Sequence, residues 1–331
     1  MIKKISIAAL LLTGSLMAAG EVNIYSTRHY DADKNLYKMF TEKTGIAVNV
    51  VKAKPKALIK RLETEGANTK ADLFITADAG NLVNAQKKGL LQPVKSKKIE
   101  EAIPETLRQK DGYWVALTQR ARIIAYNKEK VKPEDLSTYE DLTDKKWKGR
   151  ITIRKSSNIY NQSLLASFIA TKGPEKAKMW AKGIVDNMSR KPRGNDRDQM
   201  KAVAAGVGDI AVVNTYYVGK LLNSKKPYEV EVGKLMGVFF PKDTHVNISG
   251  VAMTKNAKNK DNAVKLMEYL VSPDAQKVFA SANYEYPANP KVEASDLLKS
   301  WGTFEPMVVS LEAYGEKNEE AVKIMNEVEW K

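Results

Sequence analysis

Residues 71–89 read ADLFITADAGNLVNAQKKG. The apolar run from Leu73 to Ile75 is typical of a buried strand, and the residues after it have the three-and-four spacing of a helix that ends at Gly89. A short buried strand that leads directly into a helix is the repeating unit of α/β folds. This stretch therefore predicts one βα unit.

Two further βα units precede this stretch. A strand at residues 22–26 leads into a helix that ends at Gly45, and a strand at 46–51 leads into a second helix. Three successive units of this kind predict a doubly wound sheet with mostly parallel strands. The apolar faces of the two helices are predicted to contain Leu36, Met39 and Phe40 in the first and Leu58, Ile59 and Leu62 in the second.

The βα pattern starts again after Gly149, with a strand at residues 151–153. Length also favours two lobes, because one hydrophobic core seldom grows beyond about 250–300 residues. Two extended stretches, 113–127 and 235–253, are predicted to cross between the lobes. Two crossing strands leave a cleft between the lobes, and ligands of open α/β sheets bind at the carboxyl ends of strands that face such a cleft.

The predicted fold class is therefore α/β, with two doubly wound lobes joined by two crossing strands. We assign residues 21–118 and 248–300 to the N-lobe. The C-lobe is assigned residues 119–247 and 301–331.

Residues 1–20 have the features of a secretory signal peptide. Two lysines precede an apolar run at residues 5–12 that is too short to cross a bilayer, and the small residues Ala18 and Gly20 permit cleavage after Gly20. The sequence contains no cysteine, so no lipid-acceptor cysteine follows the predicted cleavage site. We expect a soluble periplasmic protein.

The chain is strongly basic, with 54 basic and 39 acidic residues and a net charge of +15. Its lysines are scattered in segments such as 95–98 and 255–260, without interleaved aromatic residues or an RNA-binding signature. We interpret these charges as solvated side chains on the protein surface and expect no nucleic-acid partner.

Two adjacent tyrosines, Tyr216 and Tyr217, end the apolar segment GDIAVVNTYY at residues 208–217. Deprotonated phenol oxygens are hard anionic donors that suit a small, highly charged cation, and ferric iron is the biological ion that fits best. Core packing with the hydroxyl groups directed to water is the alternative interpretation of such a pair. The pair alone leaves both interpretations open.

Enzymes are disfavoured by the histidine content and by the absence of catalytic motifs. An iron oxygenase needs two histidines and a carboxylate on one face, whereas His29 and His245 are the only histidines and neither belongs to a His-x-Asp or His-x-Glu pair. No nucleophile elbow, phosphate loop or dinucleotide fingerprint stands out. We therefore expect a binding protein. The alternative ligand classes for the same fold are an oxyanion, a polyamine or a phosphorylated small molecule.

Five segments together resemble the periplasmic ferric-iron-binding proteins of ABC importers. They are VNIYSTRHY, ADLFITADAGNL, DLTDKKWKGRI, NTYY and LVSPDAQKVFASANYEYP, at residues 22–30, 71–82, 141–151, 214–217 and 270–287. The resemblance covers essentially the whole mature chain. It implies a type II periplasmic-binding-protein fold with ferric iron (Fe³⁺) in the cleft, delivery of that iron to an inner-membrane ABC permease and its ATPase, and no catalysis.

The resemblance also implies a set of metal ligands. The tyrosine pair of the family falls on Tyr216 and Tyr217, and its N-lobe ligand falls on His29, beside Tyr30. The segment SSNIYNQ at residues 156–162 resembles a branch of the family in which a further tyrosine, here Tyr160, binds the metal.

The same branch has an arginine in the first crossing, which matches Arg120, although Arg122 is close enough to leave the choice open. Four phenolates and one neutral imidazole give five donor atoms and four negative charges against the three positive charges of the ion. We expect Arg120 to offset the remaining charge from behind the ligands, no synergistic anion, and a monomeric protein.

Adjacent ligands raise a geometric problem, because neighbouring residues of a strand point to opposite faces. Both members of such a pair can serve one ion at a strand-to-helix turn, where neighbours lie about 100° apart. Loops after Ser26 and Asn214 permit turns of this kind, and the strand before Tyr216 and Tyr217 is expected to turn into a helix there. His245 is predicted to be a loop residue of the second crossing and is not part of the expected site.

Overall fold

The computed structural model describes residues 20–28 and 30–331. The predicted leader as far as residue 19 and the predicted ligand His29 lie outside the described residues. Within the described ranges, no helix combines the length and the apolar character that crossing a membrane requires.

The first lobe begins with the three predicted βα units. They are formed by β1 (Glu21–Ser26), α1 (Asp31–Thr44), β2 (Ala47–Lys52), α2 (Pro55–Glu65), β3 (Leu73–Ala77) and α3 (Ala79–Lys87). The three strands are parallel, with β1 between β2 and β3. As predicted, Gly45 ends α1, and its φ of 72° is a left-handed conformation that glycine adopts without steric cost.

The next elements lead into the second lobe. They are β4 (Leu91–Gln92), α4 (Lys97–Ala102), β5 (Val115–Asn127), β6 (Ile151–Thr152), α5 (Ile159–Lys172), α6 (Pro174–Asn187), α7 (Asp196–Ala204), β7 (Ile210–Asn214), α8 (Thr215–Leu222), α9 (Pro227–Leu235) and β8 (Met236–Phe239). The chain then returns through β9 (Val246–Thr254), α10 (Lys260–Leu270), α11 (Pro273–Asn283), β10 (Tyr286–Pro287), α12 (Asp296–Lys299), α13 (Ala313–Glu316) and α14 (Asn318–Glu327).

Strand β5 belongs to the sheets of both lobes. Its residues 115–121 pair with β9 in the first sheet, whereas residues 122–127 pair with β7 and β8 in the second. The strand order through both sheets is β2-β1-β3-β9-β5-β7-β6. The return crossing follows β8 and enters β9, so both predicted crossings coincide with extended segments that join the sheets.

Each lobe has its own hydrophobic core. Leu36, Phe74 and Phe279 belong to the core of the first lobe, whereas Phe168 and Trp180 belong to the core of the second. The second lobe has a further apolar cluster on the opposite face of its sheet. The two sheets and the separate cores of the two lobes agree with the predicted fold class. The residue boundaries assigned to the lobes stay a prediction.

One residue of the predicted apolar face of α1 is not buried. The buried stripe of this helix runs through Asp33, Leu36, Tyr37 and Phe40, whereas Met39 is 36% exposed. Residues spaced by three and four share a helix face, and the stripe that continues from Asp33 places Tyr37 inside and Met39 at its edge.

Candidate metal centre

Four tyrosines predicted to bind a metal lie at the N-terminal ends of three helices. Tyr30 precedes the first residue of α1, Tyr160 is the second residue of α5, and Tyr216 and Tyr217 lie in the first turn of α8. The amino end of a helix carries a partial positive charge from its unpaired N–H groups, which favours anionic groups nearby. The fold therefore places the backbone of all four tyrosines at the positive ends of helices.

The predicted strand-to-helix turn after Asn214 is confirmed. Asn214 ends β7 and precedes α8, so Tyr216 and Tyr217 follow helical rather than strand geometry. Their ring centroids are 4.1 Å apart with an angle of 32° between the ring planes. Both rings of the pair thus lie on the same side of the chain.

The phenols of the two lobes lie close together. The hydroxyl oxygens of Tyr160 and Tyr216 are separated by 3.2 Å. The ring of Tyr30, from the first lobe, meets the ring of Tyr216 edge to face with centroids 6.4 Å apart. Tyr216 is 1% exposed, and the other three are half-buried. The structure therefore brings four of the five predicted ligands into one cluster, while His29 lies outside the described residues.

His245 is a loop residue, as predicted, and its side chain is buried. Its Nδ1 atom is 3.2 Å from the hydroxyl oxygen of Ser167, and its ring packs on that of Tyr314. Burial, together with the positive charges of Arg122 and Arg120, lowers the pKa of His245 to about 3. The imidazole is therefore neutral at physiological pH.

Three guanidinium groups surround the ring of Tyr160. Those of Arg120, Arg122 and Arg154 lie 5.3, 5.9 and 5.6 Å from its centroid. Such distances are within the range of cation–π contacts. The sequence left open whether Arg120 or Arg122 faces the cleft, and the structure places both beside the same phenol.

Arg120 and Arg122 differ in the number of short hydrogen bonds that their guanidinium groups donate. Arg122 donates hydrogen bonds to Asp196 at 2.6 Å and to Asn161 at 2.7 Å. Arg120 has looser contacts, 3.8 Å to the carboxylate of Asp78 and 3.4 Å to the hydroxyl of Ser249. The Nε and Nη2 atoms of Arg120 have no hydrogen-bond partner among the described residues.

Three further charged residues near Tyr30 were not predicted from the sequence. Arg28 is buried, and its guanidinium lies 4.7 Å from the ring centroid of Tyr30. It forms ion pairs with Asp33 at 2.9 Å and with Glu285 at 3.0 Å. Arg28 and Glu285 lie in two of the segments that carried the resemblance, VNIYSTRHY and LVSPDAQKVFASANYEYP, and these segments were the available signal for the cluster.

Burial controls the protonation of the phenols. It raises the pKa of Tyr216 and Tyr217 well above the ordinary value, and the neighbouring phenol of Tyr160 adds to both shifts. Burial and then the carboxylate of Glu285 raise the pKa of Tyr30 as well. The three phenols are therefore protonated at neutral pH, and only a strongly charged cation would displace their protons.

The donor set excludes several familiar metal sites. In the described ranges, no three His, Cys, Asp or Glu side chains form a group that could hold a metal ion. The clustered donors are phenols, and phenolate oxygens suit a hard trivalent ion better than zinc or calcium, which favour other ligands.

Comparisons with known proteins identify the family of the chain. Residues 68–305 match the family described as bacterial extracellular solute-binding protein. Iron uptake protein A1 of Synechocystis sp. is 48% identical over 315 residues, which cover 94% of this chain and 88% of that protein.

Two solved structures resemble the chain closely. A Trichodesmium FutA (IdiA) structure with iron and citrate ligands is 50% identical, with a TM-score of 0.91 and coverage of 94% of this chain and 100% of the other. A ferric binding protein from Campylobacter jejuni is also 50% identical, with a TM-score of 0.90 and the same coverage. The family match spans more than half of the chain, and the fold agrees over nearly all of it. The chain belongs to the bacterial extracellular solute-binding protein family, and its fold is the type II fold of the periplasmic ferric-binding proteins.

Proposed function

We infer that this protein captures ferric iron in the cleft between its lobes and delivers it to an inner-membrane ABC permease and its ATPase. The observation that carries this inference is the convergence of four phenols from three helix N-termini and both lobes. The uptake and ferric-binding functions of similar proteins support it. It acts as a binding protein and not as an enzyme.

The ligands in this proposal are Tyr30, Tyr160, Tyr216 and Tyr217, together with His29. The short distance between the hydroxyl groups of Tyr160 and Tyr216 supports their sharing one ion. The ring of Tyr30 lies close enough to that of Tyr216 for a small rotation of the Tyr30 side chain to bring its oxygen to the same ion. The role of His29 rests on the sequence resemblance alone.

We further propose that no synergistic anion is needed, because the charges near the site already balance. Five cationic side chains and four carboxylates surround the phenols, which leaves one positive charge. Ferric iron with four phenolates carries one negative charge, so an added anion would make the site negative and would lose its own hydration. The cations are Arg28, Arg120, Arg122, Arg154 and Lys220, and the carboxylates are Asp33, Asp78, Asp196 and Glu285.

One observation favours a second candidate, an oxyanion as ligand or partner of the metal. Arg120 is buried, and two of its nitrogen atoms lack hydrogen-bond partners within the described ranges. An oxyanion is a suitable acceptor for two guanidinium N–H groups. A loading experiment with and without anions distinguishes the two candidates.

The protein is purified without metal and titrated with ferric nitrilotriacetate in buffer free of carbonate, phosphate and citrate. Bound phenolates give a visible charge-transfer band, so we expect an orange-red protein with one iron by elemental analysis. The same band should form when an anion is added. Colourless protein without bound iron would refute the iron function, and a band that requires an added anion would support the second candidate.

We also propose that the protein works as a monomer in the periplasm after cleavage of its leader near Gly20. The family name places such proteins outside the cytoplasm. Size-exclusion chromatography with light scattering and N-terminal sequencing of the exported protein test these two statements.

A further inference from the structure

Helix α8 of the second lobe contacts the first lobe at two adjacent residues, Gly219 and Lys220. Gly219 packs against Tyr284, which ends α11. The ammonium of Lys220 lies 3.6 Å from the ring centroid of Tyr30. These contacts follow directly after the tyrosine pair, so the helix that presents Tyr216 and Tyr217 also touches the opposite lobe.

The contact at Gly219 requires a residue without a side chain. A Cβ atom at this position would lie 2.6 Å from Cγ and 2.7 Å from Cβ of Tyr284. Those atoms are at the base of the tyrosine side chain, where rotation of the ring cannot move them away. Either α8 or the backbone at Tyr284 would have to move to relieve the clash. Glycine within a helix costs about 1 kcal/mol relative to alanine, so helix formation does not explain its presence.

At Lys220, one cation from each lobe lies against the ring of Tyr30. Arg28 of the first lobe lies 4.7 Å from the ring centroid of Tyr30, and Lys220 of the second lies closer to the same ring. Lys220 is also 5.1 Å from the ring centroid of Tyr216. A half-buried cation at such distances is attracted to the negative face of an aromatic ring. The attraction grows if Tyr30 becomes a phenolate.

We propose that Gly219 and Lys220 form the contact surface of α8 against which the first lobe packs when the lobes close around the tyrosine site. Gly219 admits the side chain of Tyr284, and Lys220 holds the ring of Tyr30 beside Tyr216. The identity of the bound ion rests on the proposed function, whereas the contact between the lobes can be measured without any ion.

The test compares Gly219→Ala, Lys220→Met and Lys220→Arg with the wild type. Lys176→Met, at an exposed position of α6, is the control for loss of a lysine. Small-angle X-ray scattering gives the radius of gyration of the empty and the iron-loaded forms. Loss of the visible band in excess citrate gives the rate of iron release.

We expect Gly219→Ala and Lys220→Met to have a larger radius of gyration than the wild type and to release iron about tenfold faster. Lys220→Arg retains a cation that can lie on an aromatic ring and should resemble the wild type, as should Lys176→Met. The empty Gly219→Ala variant should unfold at the same or a higher temperature than the wild type, because alanine favours the helix.

A wild-type radius and release rate in both Gly219→Ala and Lys220→Met would overturn the proposal. So would Lys220→Arg behaving like Lys220→Met, because a cation would then not be the relevant property. If circular dichroism shows that Gly219→Ala does not fold, the radius of gyration and the release rate of the two Lys220 variants test the proposal instead. If the wild type binds no iron, the iron function is refuted. The radius of gyration of the empty forms still tests whether α8 holds the two lobes together.

Discussion

The hydroxyl oxygens of Tyr160 and Tyr216 lie 3.2 Å apart, although the two residues begin different helices. At this distance two protonated phenols share a hydrogen bond, whereas two phenolates would repel each other unless a cation lay between them. The pair is thus stable with its protons in the empty site and with a metal ion in the loaded site.

Removing a phenol oxygen from α8 should abolish most of the iron affinity. We expect Tyr216→Phe and Tyr217→Phe each to weaken ferric binding by more than about 100-fold, beyond the effect typical of residues that only support metal ligands. Phenylalanine keeps the ring, so folding should be nearly unchanged. Citrate competition followed by the visible band measures the affinity.

The matched control for these variants is Tyr269→Phe, which removes a buried hydroxyl without a hydrogen-bond partner in the described chain, on the far side of α1 beside Phe40. It should bind iron like the wild type. Wild-type colour and affinity in both Tyr216→Phe and Tyr217→Phe would show that the pair is structural.

Iron loading should release protons, and acid should release the iron. The pKa of Tyr30, Tyr216 and Tyr217 is raised by burial, so these phenols are protonated in the empty protein and must lose their protons to the ion. These three phenols alone should release about three protons per iron bound, and the affinity should fall steeply as the pH decreases. Titration in weakly buffered solution at pH 7 counts the protons. Release of one proton or none would contradict binding by several phenolates.

The buried ion pair of Arg28 and Glu285 should be important for stability. Glu285→Ala would leave Arg28 with one carboxylate partner instead of two, and breaking a buried pair of this kind costs about 3–5 kcal/mol. Urea unfolding measures the change in the free energy of unfolding.

The control is Glu231→Ala, which breaks an exposed pair with Lys234 and should change the free energy of unfolding by less than about 1 kcal/mol. Equal effects of the two substitutions would mean that the Arg28 cluster contributes no more than a surface pair.

His245 should make the protein less stable in acid. The pKa of this group in the folded protein is about 3, below the value of about 6.5 for an unfolded chain. Between these values the unfolded chain binds a proton that the folded protein does not bind. Stability should therefore fall as the pH decreases from about 6.5 toward 3, by up to about 1.4 kcal/mol per pH unit.

Urea unfolding of the wild type and of His245→Gln at pH 7, 6, 5 and 4 tests this expectation. The difference between the two proteins removes the effect of the carboxylates that they share. We expect the free energies of unfolding to converge as the pH decreases. Parallel curves would show that His245 takes up its proton at the same pH in the folded and the unfolded protein.

The fold was predictable because its signals are local. Each buried strand and each helix stripe of the first βα units is visible as an apolar run or a three-and-four spacing within a few residues. The error at Met39 has the same origin, since spacing identifies a face but not the edge of the buried stripe. Asn214 and the tyrosines after it also had a local signal, a strand that ends in polar residues.

The surroundings of the site could not be predicted in the same way. Arg28 and Glu285 are 257 positions apart in the sequence, and no local pattern connects them. Lys220 looks like an ordinary helical lysine, and its contact with Tyr30 exists only when the lobes meet. The four phenols were named from a family resemblance, whereas their distances and burial depend on how three helices are placed.

The position of β9 constrains the order in which the protein can become native. This strand lies between β3 and β5, yet it comes from residues 246–254, after nearly all of the second lobe has been made. A chain that emerges from a membrane with its N-terminus first must wait for residue 254 before the first sheet is complete. The first sheet, which Tyr30 follows at the end of β1, can therefore be completed only after most of the second lobe has been made.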